Sequence, residues 1–188
     1  MMTFKFQQKL TALFSLFISL LLSACSSSPQ VNAENLAKQQ AAKARIELGL
    51  AYLHQQNINQ AKQNFDKALE HAPQYYLTHS ALAYFYQQLG DVKQARIHYQ
   101  KAIDLDNNQG DVHNNYGTFL CSQGQFEQAY DEFEQALQSP NYYRQTDSYE
   151  NLALCALSAK NNERFQRYLT KLEKLDPKRA AKLENISN

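Results

Sequence analysis

From Ala42 onward, apolar and polar positions follow the 3.6-residue period of amphipathic helices, in blocks of 13 or 14 residues with short polar breaks between them. The pattern predicts eight helices, over about 42–55, 59–71, 76–88, 92–105, 110–123, 126–138, 146–159 and 162–175. Residues 33–41 lengthen the first helix and residues 178–183 begin a terminal cap. Gly90 and Gly124 fall where a helical hairpin must turn, and Asn57 and Asn161 are expected to supply the left-handed conformation at two other breaks. The start of the chain has a different pattern. Residues 10–22 form an almost unbroken apolar run behind Lys5 and Lys9.

The helix pairs repeat every 34 residues. A repeat begun at Ala42 has Leu48, Gly49, Tyr52, Ala61, Phe65, Ala68 and Pro73 at positions 7, 8, 11, 20, 24, 27 and 32. The next, from Tyr76, has His79 at position 4, then Leu82, Ala83, Tyr86, Ala95, Tyr99 and Ala102, with Asn107 at position 32. The third, from Gly110, has Tyr116, Gly117, Leu120, Ala129, Phe133 and Ala136, with Pro140 one place early. After a two-residue insertion, the fourth begins at Thr146 and has Tyr149, Leu152, Ala153, Ala156, Phe165, Leu169, Leu172 and Pro177. Small residues at 8, 20 and 27 let antiparallel helices approach closely, and large ones at 7, 11 and 24 fill the space left between them. This spacing resembles the tetratricopeptide repeat (TPR). The expectation is an all-α TPR solenoid of about four hairpins, with repeats over about 42–75, 76–109, 110–143 and 146–179 inside a domain covering 34–188.

In such arrays the first helices of successive hairpins line a groove that binds other chains. Positions 2, 5, 9 and 12 are expected to face it. They are Lys43, Ile46, Leu50 and Leu53, then Leu77, Ser80, Tyr84 and Gln87, then Asp111, Asn114, Thr118 and Cys121, then Asp147, Glu150, Leu154 and Leu157. The partner-binding candidates are Ile46, Leu50, Leu53, Leu77, Tyr84, Asn114 and Thr118, with ordinary solvated helix surface as the alternative for any one of them. The clamp with which one TPR class grips acidic chaperone termini would need basic and Asn side chains where this chain has Ile46, Leu50, Ala81, Asp111 and Asn115. The groove is apolar at its start and acidic at its end, which suits an extended or helical peptide with apolar anchors.

The apolar run is shorter than the roughly 20 residues of a membrane span and has the length of a signal peptide. It ends in Leu22-Ser23-Ala24-Cys25, which resembles a bacterial lipobox. That resemblance implies cleavage after residue 24 and lipid on Cys25, with residues 25–33 as the lipidated cysteine and a flexible tether. Ser26 after the cysteine resembles lipoproteins sorted to the outer membrane. An ordinary secretory signal with an incidental cysteine is the alternative.

The formal net charge is +1, which gives no electrostatic case for nucleic acid. The five histidines, His54, His71, His79, His98 and His113, are dispersed. His79 and His113 share position 4 of neighbouring repeats and are read as packing residues or, less simply, as a metal pair. No zinc-protease, paired-cysteine or phosphate-loop motif is present. The expectation is a non-enzyme with no cofactor, no metal and no small-molecule substrate. Once Cys25 carries lipid, Cys121 and Cys155 remain as an even pair on helices expected to be neighbours. They form either a disulfide or two buried thiols acting as small hydrophobes.

A narrower resemblance rests on "NNYGTFLCSQGQFEQA" (114–129), "SPNYY" and "NLALCAL". Asn114, Asn115, Tyr116, Gly117, Phe119, Leu120, Cys121, Gln123 and Gly124, followed by Cys155 in the next repeat, are similar to the type IV pilus biogenesis/stability lipoproteins, the PilF/PilW family. The resemblance spans about 25–177 and includes the lipobox and "LGLAYL". It implies a pilotin: a lipoprotein held by its anchor in the outer membrane, facing the periplasm. Such a protein binds the secretin subunit and promotes its localisation and assembly into the pore for the pilus. The other reading is a TPR lipoprotein adaptor that scaffolds different envelope proteins. Two departures stand out. Members of that family typically have more repeats than the four recognised here, and Ala153 stands where many have Gly before the second cysteine.

Overall fold

The computed structural model describes residues 29–187, and all their regular structure is helical. The expected signal peptide, Cys25 and tether residues 26–28 lie outside the described residues. The helices are α1 Pro29–His54, α2 Ile58–His71, α3 Tyr76–Gln88, α4 Val92–Leu105, α5 Gly110–Ser122, α6 Phe126–Gln138, α7 Gln145–Ser158, α8 Asn162–Leu175 and α9 Pro177–Ser187. Helices α2 to α8 begin and end within one residue of the expected positions. The start of α1 differs. The tether was expected to continue through residue 33, but residues 29–33 are already helical. Proline suits a first helical turn because its fixed φ and missing N–H cost nothing there. Lys38 Nζ and Glu34 Oε1 add an i,i+4 ion pair at 2.7 Å.

From Gln39 onward the chain forms one compact unit. Helices α3 and α4, α5 and α6, and α7 and α8 pack as hairpins; α5 lies beside both α3 and α7, and α9 closes against α7 and α8. The small positions work as the spacing requires. Ala61, Ala68, Ala95, Ala102, Ala129 and Ala136 are fully buried, and so are Phe65, Tyr99 and Phe133 at position 24. A Cβ on Gly117 would lie 2.8 Å from the Phe133 ring and 3.1 Å from the Ala129 carbonyl oxygen, so only glycine admits this ring. Between repeats, Phe65 meets Phe85 with ring centroids 5.3 Å apart, and Tyr99 meets Tyr116 at 5.3 Å and Phe119 at 5.5 Å.

Position 7 shows how packing depends on the preceding repeat. Leu82, Tyr116 and Leu152 are buried, whereas Leu48 is 47% exposed. The expectation that Leu48 would be a core residue is therefore corrected. The later position-7 residues pack back onto the repeat before them, as Tyr116 does on Tyr99. The first repeat has no such neighbour among the described residues.

The turn chemistry is also corrected. The left-handed residues at the hairpin turns are Gln56 (φ 58°), Gly90 (73°), Gly124 (72°) and Lys160 (54°), one per hairpin, and Asn141 (59°) is left-handed in the link between α6 and α7. Asn57 and Asn161, expected there, instead cap the next helix: their Oδ1 atoms accept from Gln60 N and Arg164 N. In every hairpin the left-handed N–H and the one after it bond back to the preceding helix, as in Lys160 N to Leu157 O and Asn161 N to Ala156 O, both at 2.9 Å. A non-glycine residue in this conformation is strained by about 1–2 kcal/mol. Lys160→Gly should therefore raise stability by about 0.5–1 kcal/mol, as read by thermal melting, despite glycine's extra chain entropy.

Candidate binding face

The first helices stand side by side, and position 9 of each gives the row Leu50, Tyr84, Thr118 and Leu154. Leu50, Leu53, Leu77 and Tyr84 are half-buried, and Thr118 and Leu154 are exposed. Two of the partner-binding candidates are not on this surface, and Ser80, also expected to face the groove, is buried with them. Ile46 is 4% exposed and belongs to the core around Phe65, and Asn114 is 3% exposed. Position 5 is turned between adjacent first helices and faces position 3 of the next repeat, where Thr78, Val112 and Ser148 are all buried. Ser148 Oγ donates to Asn114 Oδ1 at 2.9 Å, and Asn151 Nδ2 donates to the same oxygen at 3.1 Å. The Tyr142 hydroxyl, from the link between α6 and α7, lies 2.8 Å from Ser148 Oγ. Asn114 thus holds α5 to α7, a role that its exposed-looking register concealed.

The acidic end of the groove is a network of three carboxylates paired with two arginines. Arg144 Nη1 donates to Asp111 Oδ1 at 3.0 Å and its Nε to Asp147 Oδ2 at 2.7 Å. Arg179, from α9, donates through Nη1 to Asp147 Oδ1 at 2.7 Å and through Nε to Glu150 Oε2 at 2.6 Å. Burial pushes the Asp147 carboxyl up, but the hydrogen bonds and charges of Arg179 and Arg144 outweigh it and hold the group below its usual range. Reading the groove positions alone missed both arginines, because one sits in the insertion and the other in the cap.

A second set of polar contacts recurs at a separation of 19 residues. Position 4 of the first three first helices meets the second helix of its own hairpin: Arg45 with Asn64, His79 with His98, and His113 with Glu132. His79 Nε2 donates to the Pro73 carbonyl at 2.9 Å, so its Nδ1 accepts from His98 Nδ1, 3.0 Å away. His113 Nε2 donates in the same way to Asn107 O at 2.9 Å, and its Nδ1 donates to Glu132 Oε2 at 2.6 Å. His79 and His113 are therefore bound within separate hairpins and do not form a pair. Among the described residues, no group of three ligand side chains could hold a metal.

The two histidine sites titrate in opposite directions. Burial, then His79 and Lys62 nearby, push His98 down to about 4; burial also lowers His79. Burial works to lower His113 too, but the Glu132 hydrogen bond, the Asn107 carbonyl and the Glu132 charge raise it. The His79–His98 contribution to stability is therefore complete above the unfolded value of 6.5 and falls away as pH drops toward about 4. The His113–Glu132 contribution is complete below 6.5 and is lost as pH rises through the raised folded value. Melting temperature against pH should show this by difference. His98→Gln should flatten the fall on acidification, and His113→Gln the fall on the alkaline side.

Cys121 on α5 and Cys155 on α7 form a disulfide, with Cα atoms 5.8 Å apart. Cys155 takes position 10, where the second and third repeats carry Phe85 and Phe119. The covalent bridge thus replaces an aromatic contact between repeats.

Helical arrays with a row of adjacent first helices commonly present extended surfaces for peptides or proteins. A family model described as tetratricopeptide repeat matches residues 52–116. An uncharacterized protein of Haemophilus influenzae is 51% identical over 166 residues, covering 88% of this chain and 91% of that one. The chain belongs to one family with that relative and contains tetratricopeptide repeats. It is also 34% identical over 157 residues to the type IV pilus assembly protein PilF of Pseudomonas aeruginosa, covering 82% of this chain. It spans 62% of PilF's length. A solved structure from a functional characterization of Pseudomonas aeruginosa PilF superposes with a TM-score of 0.71 at 35% identity, over 78% of this chain and 69% of that one.

Proposed function

We propose that the protein is an outer-membrane lipoprotein pilotin: it binds the secretin subunit of the type IV pilus and promotes its localisation and assembly. The observation that carries this reading is the relationship to a pilus assembly protein along most of this chain. The lipobox ending at Cys25 and the row of partly apolar side chains on the first helices support it. On this reading lipid on Cys25 holds the array at the periplasmic face of the outer membrane, and several acyl chains make that attachment effectively permanent. The secretin segment lies along position 9, with Leu50 and Tyr84 as apolar anchors.

A secretin pull-down from detergent-solubilised membranes tests this directly. Tyr84→Ala should weaken capture about tenfold or more, the usual cost of losing an aromatic anchor, and should reduce surface pili with little change in melting. Leu50→Asp should also weaken capture, but Leu50 packs against the core of the first two repeats, so this variant loses stability as well. Cys25→Ala should lose fatty-acid label and leave the outer-membrane fraction. Normal secretin assembly with Tyr84→Ala and Leu50→Asp would exclude the first-helix face as the binding site. Capture of other envelope proteins in place of secretin would identify a different TPR lipoprotein adaptor.

A further inference from the structure

The first-helix face carries a cavity at its C-terminal half, away from Leu50 and Tyr84. It has a volume of about 220 Å³ and is lined by Thr118, Cys121, Ser122, Phe133, Asn151, Leu154, Cys155 and Ser158. That is room for roughly seven waters at about 30 Å³ each, a volume on the scale of one large side chain and below the roughly 300–1,000 Å³ of a drug-sized site. Leu154 and the Cys121 side of the disulfide supply its apolar surface, with Cys155 and the buried Phe133 ring behind them.

The polar lining is one-sided. Thr118 Oγ1 donates its only proton to Asn114 O at 3.0 Å, Ser122 Oγ to Phe119 O at 2.6 Å, and Ser158 Oγ to Leu154 O at 3.0 Å. Ser122 Oγ also accepts from Gln123 Nε2 at 3.1 Å, and Asn151 Nδ2 donates one of its two protons to Asn114 Oδ1. Every hydroxyl proton is thus spent on the wall's own backbone, and what remains is mainly acceptor oxygen. A hydroxyl oxygen has two lone pairs, so each can still take a donor from an incoming group. None of the lining residues is charged, so a lysine or arginine would leave its water without a counter-charge, which is costly. A neutral aromatic ring with one N–H or O–H fits both the apolar surface and the acceptor rim.

We propose that this cavity is a subsite for a tryptophan or tyrosine side chain of the bound protein segment, held by the disulfide-backed wall and the Thr118, Ser122 and Ser158 oxygens. The inference rests on the first-helix face being the partner-binding side. It places a second anchor two repeats beyond Tyr84, on the continuation of the same row.

N-acetyl-tryptophanamide and N-acetyl-phenylalaninamide are suitable probes, titrated into the folded oxidised protein with amide resonances followed by NMR. The tryptophan probe should shift Thr118, Asn151, Leu154 and Ser158 saturably, with a Kd of roughly 0.1–1 mM, in line with the binding ceiling for ligands of its size. The phenylalanine probe, with the ring but no ring donor, should bind several-fold more weakly. Ser158→Phe, which fills the cavity from its rim, should abolish the response; Thr118→Val, which keeps the shape but removes one acceptor, should weaken it several-fold. Equal binding of the two probes, no saturable shift at these four residues, or an unchanged response in Thr118→Val would overturn the proposal. Saturable shifts confined to Leu50 and Tyr84 would overturn it too, while leaving the first-helix face as the partner-binding side.

Discussion

The double variant Cys121→Ala/Cys155→Ala is expected to lose about 3–4 kcal/mol of folding stability, the chain-entropy value for a loop closed across 34 residues. The loss is a large fraction of the roughly 5–15 kcal/mol that holds a domain of this size. It corresponds to a fall in melting temperature of roughly 10 °C. The geometry adds a second reason. In the second and third repeats position 10 links to the repeat before it through an aromatic ring, and in the fourth the bridge takes that place. Cys155 is 1% exposed, so alanine there also leaves a small unfilled space. Denaturant unfolding with and without a reductant checks the expectation. The reduced wild type should melt close to the double variant and slightly above it, since it keeps both sulfurs, and a midpoint unmoved by both would mean that the bridge contributes nothing.

Phe133→Ala should cost about 3–5 kcal/mol, the upper range for removing a buried ring. The cost is high because nothing nearby can refill the space. Gly117 has no side chain, and Ala129 and Ala136 on the same face are fully buried with only methyl groups to offer. The same contact makes an unusual forecast for Gly117→Ala. In an open helix that change gains about 1 kcal/mol of propensity. Here the new methyl would lie 2.8 Å from the ring, and overpacking of this kind costs roughly 1–3 kcal/mol, so the net effect should be a loss. Pairing Gly117→Ala with Phe133→Leu should recover part of it. Additive losses in the double variant, measured by denaturant titration, would show that the ring and the glycine are not coupled in this way.

The helices and their pairing could be read from the sequence because both depend on short-range periodicity. Small residues at 8, 20 and 27 and large ones at 24 leave only one way for two helices to meet. What the sequence concealed involves a partner outside the repeat template. Asn114 looked like groove surface until Ser148 and Asn151 supplied its hydrogen bonds, and Asp147 and Glu150 looked like free charge until Arg144 and Arg179 reached them. Ile46 and Leu48 exchanged environments for a similar reason: position 5 is covered by the following repeat, and position 7 needs the preceding one. The histidine pairs carried a signal, the constant separation of 19 residues, visible only once positions 4 and 23 were compared across hairpins.

The placement of the disulfide divides the array into a stiff end and a pliant one. Two first helices are bolted together near the C-terminus, where Arg179 and the cap add further ties, while the opposite end leaves Leu48 in water. In a linear array each unit is held only by its neighbours, so opening starts where the holds are fewest. A partner lying along the row would dock its C-terminal contacts on a ready-made surface and order the N-terminal hairpin as it settles. Most of the entropy lost on binding then falls on the first hairpin. Amide exchange should record this as protection that rises from α1 toward α7 in the free protein and evens out in the complex.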